Sequence, residues 1–413
     1  MLLITHIKTL VGTHTPQTRI IPGREMANLP TLNHAWLLIE GDIIKDFGEM
    51  KELSRDTIPP HTFEINAEGC LVLPTWCDSH THLVFAASRE EEFVLKIKGK
   101  TYEEIATAGG GILNSAKKLQ ACPEETLFEL AQKRLNDLIQ TGTGAIEIKS
   151  GYGLSLESEL KMLRVIRKLK EKAAIPIKAT FLGAHAYPQE YKNNHNAYLD
   201  ILINQLLPQI ADEGLADYID VFCERGFFSV DETSLLLETG AKYGLRPKIH
   251  ANQLSATGAV EVGVKHHAIS VDHLEVLNEQ AIQALANSET IATILPNCSL
   301  FLGIPFADAR QLMQANIPVA LASDFNPGSS PSGNMNLVVS LACIKQKMLP
   351  EEAIHAATLN GAAALELSHA YGSISRGKKA NLLITKEIPS LAYLPYAFGA
   401  SQVQKVILNG KLS

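Results

Sequence analysis

Two histidines one residue apart, His80 and His82 in the run LPTWCDSHTHL, are the first candidates for chemistry. In extended backbone their side chains project to the same side, so two imidazoles converge. Alone, such a pair is more often an ordinary surface or core feature than a ligand set. His250 in RPKIH and Asp324 in LASD alter that balance, because each also stands at the end of a short apolar run. Three imidazoles and a carboxylate make a four-donor set that suits Zn²⁺ and leaves Fe²⁺ open. One divalent ion held there would bring a bound water from a pKa of roughly 15.7 to about 7, which supplies hydroxide at neutral pH.

Eight β-rich apolar runs, 70–78, 144–149, 175–184, 216–223, 246–250, 268–274, 290–296 and 318–323, alternate with helical patterns. Among the helical patterns, SLESELKMLRVIRKLKEK carries Leu160, Leu163, Ile166 and Leu169 on one face. PEETLFELAQKRLNDLIQT places Pro123 for a first turn, and DETSLLLETGAKYG offers Asp231 as N-cap and Gly244 as stop. HNAYLDILINQLLPQI, NEQAIQALAN, ADARQLMQAN and SGNMNLVVSLACIKQK complete the helix candidates. Buried strands separated by helices predict an α/β fold, a closed (β/α)₈ TIM-like barrel over residues 74–371. An open doubly wound sheet is the alternative, but no GxGxxG follows the first strand. Residues 1–73 plus 372–413 read as short strands and turns, too small apart to bury a core. They are expected to pair as a small β-sandwich-like domain into which the barrel is inserted.

In such a barrel the site lies at the C-terminal ends of the strands. Those ends carry His80 and His82, Lys149 with Tyr152, His185, Glu224, His250 with Gln253, Asp272 with His273, and Asp324. Five of the 14 histidines lie there, more than scatter would place.

Net charge is −7, which gives no basic footprint for nucleic acid. No apolar stretch reaches membrane-spanning length, and the first residues lack a signal-peptide pattern. The six cysteines form no CxxC pair, as expected of a reduced cytoplasmic chain.

The blocks DSHTHLVFAASREEEF, TYEEIATAGGGI, EIKSGYGL, FLGAHAYP, IHANQLS, SVDHLE and SDFNPGSSP, in this order, resemble the amidohydrolase superfamily, and within it the branch that opens an imidazolone ring in histidine degradation. The resemblance covers nearly the whole chain. It implies one metal ion on His80, His82, His250 and Asp324, with Asp324 as general base and His273 polarising the carbonyl. The implied reaction is hydrolysis of the lactam C–N bond of 4-imidazolone-5-propanoate to N-formimidoyl-L-glutamate. Arg89 matches the cation that grips the propionate, although its run SREEEF also reads as a salt-bridged surface. Tyr152, His185, Gln253, Asn326, Gly328 and Ser329 match substrate- or product-contacting positions. No macromolecular partner is implied beyond a homodimer, which such barrels form by analogy only.

Lys149 invites a reading as the carboxylated bridging lysine of two-metal relatives. It lies on the second strand, where that lysine belongs on the fourth, so one metal and a structural or outer role for Lys149 are expected. Glu224 has no assigned role. Two places depart from the branch's pattern: Asn252 after the strand-5 histidine, and the loop Leu295-Pro296-Asn297-Cys298-Ser299. Gln253 separates this reading from a cytosine- or guanine-type deaminase, since a Gln cannot shuttle a proton as the deaminase Glu does. A non-catalytic scaffold would be expected to lack some ligands, and all four are here.

Overall fold

The computed structural model describes the chain except residues 101–103 and 105–109, so most of TYEEIATAGGGI lies outside the described residues. Five strands come first: β1 (Leu2–Val11), β2 (Thr31–Glu40), β3 (Ile43–Glu49), β4 (Phe63–Asn66) and β5 (Cys70–Pro74). The barrel strands follow: β6 (Trp76–Asp78), β7 (Thr143–Lys149), β8 (Ile177–Ala184), β9 (Tyr218–Cys223), β10 (Arg246–Pro247), β11 (Ile249–Ala251), β12 (Ser270–His273), β13 (Ile291–Ile294) and β14 (Val319–Leu321). The C-terminal end adds β15 (Leu382–Glu387), β16 (Val403–Leu408) and β17 (Lys411–Leu412).

Both chain ends meet in one mixed sheet of order β17-β16-β15-β5-β1-β2-β3, with β4 on β1. β15 runs antiparallel to β5 with Leu383 opposite Leu73, and β5 lies parallel to β1. One face buries Ile4, Leu10, Leu37, Val72, Ile384 and Ile407 in a core of its own. The run 70–78 is therefore two strands: Cys70–Pro74 belongs to this sheet and Trp76–Asp78 opens the barrel. At the corner, Thr75 N donates to Asn381 O at 3.1 Å and Trp76 N to Gly142 O at 3.0 Å. Gly142 sits at φ 110°, where a side chain would also collide with Leu383 and Trp76.

The barrel strands are parallel throughout, in the order β6-β7-β8-β9-β11-β12-β13-β14. Parallel strands covered by helices on the outside are apolar on both faces, which is why they read as continuous apolar runs. The seam between β14 and β6 is drawn together by Asp324 N donating to His80 O (3.0 Å) and His82 N to Phe325 O (2.9 Å). Asp78 accepts from Ser323 N (2.9 Å) and Ser323 Oγ (2.5 Å) across the same seam. Burial pushes the Asp78 carboxyl up to about 7.

Leu160, Leu163, Ile166 and Leu169 are buried along the helix Leu156–Lys172, as their spacing predicts. Some details differ. Pro123 is the N-cap of Glu124–Gln140, one place before the first turn. Ser229, not Asp231, caps Val230–Lys242, because Glu232 completes a capping box with it. A π-turn interrupts the next candidate at Leu202–Leu206, ahead of Pro208, which has no N–H to continue the α pattern. No helix among the described residues is long and apolar enough to cross a membrane.

His14 and His355 join the N-terminal segment to the helix Pro350–Ala357, Nε2 to Nε2 at 2.9 Å. His355 Nδ1 donates to Met26 O, so its Nε2 accepts the His14 proton. Burial, with His355 and Lys378 nearby, lowers His14 to about 4. The native state then binds fewer protons than the unfolded chain between about 6.5 and 4. Stability is expected to fall as pH falls through that window. His14→Gln, which keeps a donor, should flatten the dependence of the thermal midpoint over this range; an unaltered slope would show that the pair does not contribute.

Candidate active site

Three strand ends bring the four candidate metal donors together. His80 and His82 follow β6, His250 lies within β11 and Asp324 follows β14, and all four are buried. Asp324 Oδ1 is 3.6 Å from both His80 Nε2 and His82 Nε2, and His82 Nε2 is 3.4 Å from His250 Nε2. His80 and His250 rings stand 4.5 Å apart. His80 Nε2 is buried without a hydrogen-bond partner, an uncommon cost in an interior and the signature of a nitrogen reserved for a ligand. Burial holds both His80 and His82 well below the usual imidazole range, so they are neutral with lone pairs free. The donor set fits a divalent ion.

The outer nitrogens are fixed by carboxylates that sequence reasoning did not single out as partners. His80 Nδ1 meets Asp272 Oδ2 at 2.6 Å, and His250 Nδ1 lies 3.0 Å from Asp220 Oδ2. Carboxylates behind ligating imidazoles set the tautomer and aim the other nitrogen. Below them lies a wholly buried ion network. Lys149 Nζ reaches Glu147 Oε1 (2.6 Å), Asp220 Oδ2 (2.8 Å) and Asp272 Oδ2 (3.6 Å), and Lys248 Nζ binds Glu147 and Ser79 O. Burial disfavours the Lys149 ammonium, but the three carboxylates outweigh it and raise its pKa. Glu224 accepts from Leu254 N (2.9 Å) and Ser255 N (3.2 Å), holding the loop that carries Gln253.

Backbone strain clusters here. Asn252 (φ 55°), His273 (φ 91°), Leu274 (φ 66°) and Asp324 (φ 53°) adopt left-handed conformations that non-glycine residues rarely take. Such strain persists where the surrounding structure imposes it, typically to aim functional side chains.

Above the donors opens a cavity of about 420 Å³ whose lining includes Arg89, Tyr152, His185, Gln253, His273 and Phe301. Thus every candidate contact residue named from the sequence reaches it, Asn326, Gly328 and Ser329 included. His185 stacks on His82 at 5.2 Å and its Nδ1 donates to Gly151 O at 3.0 Å, which leaves Nε2 for the cavity. Burial lowers His185 to about 3 and raises the Tyr152 phenol. Burial opposes the charged form of His273, but Glu275 and Asp324 outweigh it and hold its pKa above normal. Arg89 is both things its run suggested: its Nε and Nη2 pair with Glu92 Oε2 at 2.9 and 2.5 Å, while the guanidinium lines the cavity against Gly328. A side chain at Gly328 would collide with it. The loop after Asp324 is organised by Asn326, whose Oδ1 accepts from Gly328 N and Ser329 N, each at 2.8 Å. Those two amides are therefore engaged within the loop. Ser329 Oγ donates to Asp324 Oδ2 at 3.3 Å.

Lys96, Phe222, Phe227 and Phe301 also wall the cavity and had no signal beyond ordinary residue types, Phe222 inside β9, Phe227 in the loop after it, and Lys96 and Phe301 near helix ends. A neighbouring cavity of about 590 Å³ shares Ile112 and Phe227 with it. None of the metal-capable clusters among the described residues lies in that larger space.

The parallel barrel with an added mixed sheet recurs among solved structures. Solved structures sharing the fold include guanine deaminase from E. coli (TM-score 0.74, 14% identity, covering 100% of this chain and 98% of that one). Another is an adenosine deaminase from Xanthomonas campestris with bound zinc (TM-score 0.70, 16% identity, covering 100% and 92%). Residues 71–413 match the amidohydrolase family. Imidazolonepropionase from Christiangramia forsetii is 57% identical over 100% of this chain and 99% of its own length, and that from Flavobacterium johnsoniae 54% over 99% of each. Imidazolonepropionase from Geobacillus kaustophilus is 41% identical over 94% of this chain and 92% of its own. The chain belongs to the amidohydrolase family, in its imidazolonepropionase branch.

Proposed function

We propose that the protein hydrolyses 4-imidazolone-5-propanoate to N-formimidoyl-L-glutamate. One observation carries this reading: a chain 57% identical, end to end, to an imidazolonepropionase brings His80, His82, His250 and Asp324 together under a cavity edged by Arg89. Those four residues would hold one divalent ion, Zn²⁺ or Fe²⁺. When bound, the ion supplies an activated water and a Lewis acid for the ring carbonyl.

The chain's residues do the rest. Asp324, its carboxyl raised by burial, accepts the proton as water adds to the lactam carbonyl carbon. His273, protonated more readily than a free imidazole, hydrogen-bonds the oxygen as it gains charge. The C–N bond breaks, the departing ring nitrogen takes the proton that Asp324 accepted, and the carbonyl carbon, still bonded to its ring carbon neighbour, becomes a carboxylate. Gln253, with no proton to shuttle, hydrogen-bonds the ring, and Tyr152 and His185 form its walls. Six free cysteines suit a reduced cytoplasm for this activity.

The test is a coupled assay. Urocanase generates the imidazolone in the cuvette, and metal-loaded protein should speed loss of its absorbance beyond spontaneous decay. A chelator should abolish the effect and added metal restore it. No acceleration from metal-loaded protein would reject the substrate.

Arg89→Ala is expected to raise KM about 10- to 100-fold with kcat little altered, the worth of a charge-assisted hydrogen bond to the tail. An unchanged KM would place the propionate elsewhere.

A further inference from the structure

The loop after β13 brings a thiol into the interior. Cys298 lies in the helix Pro296–Leu302, wholly buried. Its sulfur, a His273 nitrogen and a Glu275 carboxylate oxygen all lie within 4.8 Å of one another. His273 Nδ1 and Glu275 Oε2 are 3.5 Å apart, yet both are buried and without a hydrogen-bond partner. The other Glu275 oxygen is occupied, accepting from Ser299 Oγ at 3.0 Å. Cys298 Sγ accepts from Gln253 Nε2 at 3.3 Å and also stands within hydrogen-bond reach of Asp324 and Ser329.

Two orphaned donors and a thiol facing one point are a poor hydrogen-bonding arrangement and a good coordination one. Tetrahedral Zn²⁺ with bonds of roughly 2.0 Å to nitrogen and oxygen and 2.3 Å to sulfur spaces its donors about 3.3–3.6 Å apart, matching the His273–Glu275 gap. Sulfur, imidazole and carboxylate together favour a soft or borderline cation over Mg²⁺ or Ca²⁺.

We propose that His273, Glu275 and Cys298 form a second metal site, distinct from the His80–His82–His250–Asp324 set, that takes a thiophilic divalent cation such as Zn²⁺ or Cd²⁺ and inhibits turnover when filled. The ion enters from the cavity, which His273 and Gln253 both line, as the Gln253 amide turns off the sulfur. The Cys298 thiol proton and the proton that His273 holds pass to solvent as the sulfur–metal and nitrogen–metal bonds form. Occupation fixes His273 and takes it out of use at the carbonyl. The inhibition rests on the function proposed above; the binding does not.

The experiment titrates Cd²⁺ into protein already holding one Zn²⁺ per chain. Thiolate-to-cadmium charge-transfer absorbance is followed, and bound metal is counted after desalting. Wild type should take a second equivalent with a saturating band. Cys298→Ser should lose both the band and the second ion, and Glu275→Gln should bind it at least about tenfold more weakly. A wild type that stops at one ion overturns the site, as does a band that persists in Cys298→Ser. In the imidazolone assay, excess Zn²⁺ should inhibit wild type and not Cys298→Ser; equal inhibition of both overturns the inhibitory role. Should the protein fail to turn over imidazolone at all, the ion count still decides the site.

Discussion

His250→Ala is expected to empty the metal site and lower kcat/KM at least about 10³-fold, since losing a Lewis acid worth several kcal/mol costs a factor of ten per 1.4 kcal/mol or so. The fold should survive it. The Asp220 carboxylate behind His250 keeps Lys149 Nζ at 2.8 Å and the residue-250 backbone N–H at 3.0 Å, so no bare charge is left buried. What is lost is one of three imidazole donors, and the remaining donors are too few for a stable site. Metal content by elemental analysis should drop with activity, and far-UV dichroism should not change. His185→Ala is the control. Its ring lies against His82 at 5.2 Å, but it stands outside the donor set and its Nδ1 is committed to Gly151 O. That variant should keep its ion and alter mainly KM. Full metal and full activity in His250→Ala would sink the ligand assignment, and metal loss in His185→Ala would redraw it.

Much of this site was legible because barrels place chemistry at strand ends. Apolar runs located those ends, and polar residues just beyond them needed no further reasoning. The alternation of runs and helices was equally plain, since strands buried on both faces are apolar over most of their length. The corner at Thr75 was not legible. Cys70–Asp78 is apolar throughout, and nothing in composition marks where a strand leaves one sheet for another. Asp231 was chosen over Ser229 as a cap for a similar reason: both residue types suit the position, and only the reciprocal bond from Glu232 decides it.

The charged residues inside the strands were the overlooked signal. YIDVFC and SVDH carry one acidic residue each, AIEIK carries Glu147 and Lys149, and RPKIH carries Lys248, all buried. A charge there must be paired, because its desolvation is not otherwise offset. The partners could not be guessed from spacing: Lys149 and Asp220 are 71 residues apart, and His80 and Asp272 are 192. Closure of the barrel brings them together, so the network exists only at the level of tertiary structure. The same holds for Lys96 and Phe301, which wall the cavity from the ends of two helices far apart in sequence.

That network supplies the other large effect. Lys149→Met is expected to cost about 3–5 kcal/mol of stability, the usual consequence of removing one partner from a buried ion pair. Glu147, Asp220 and Asp272 would be left with Lys248 alone, which contacts Glu147 directly and Asp272 only at 4.0 Å. Urea unfolding should show the midpoint falling with its slope intact. Metal affinity should weaken about 10- to 100-fold as well, because Asp220 and Asp272 aim His250 and His80. Combining Lys149→Met with Asp220→Asn should recover part of the stability loss, since removing both charges leaves less unpaired than removing one. A bridging-ligand role for Lys149 predicts otherwise. Carboxylation requires a neutral amine, whereas this ammonium is held charged by three carboxylates. On that alternative the stability change would be small, added bicarbonate would raise metal content, and Lys149→Met would halve the number of ions bound at the strand ends. The ion-network reading predicts the reverse: a large loss of stability, no response to bicarbonate, and the same single ion at that set, bound more weakly.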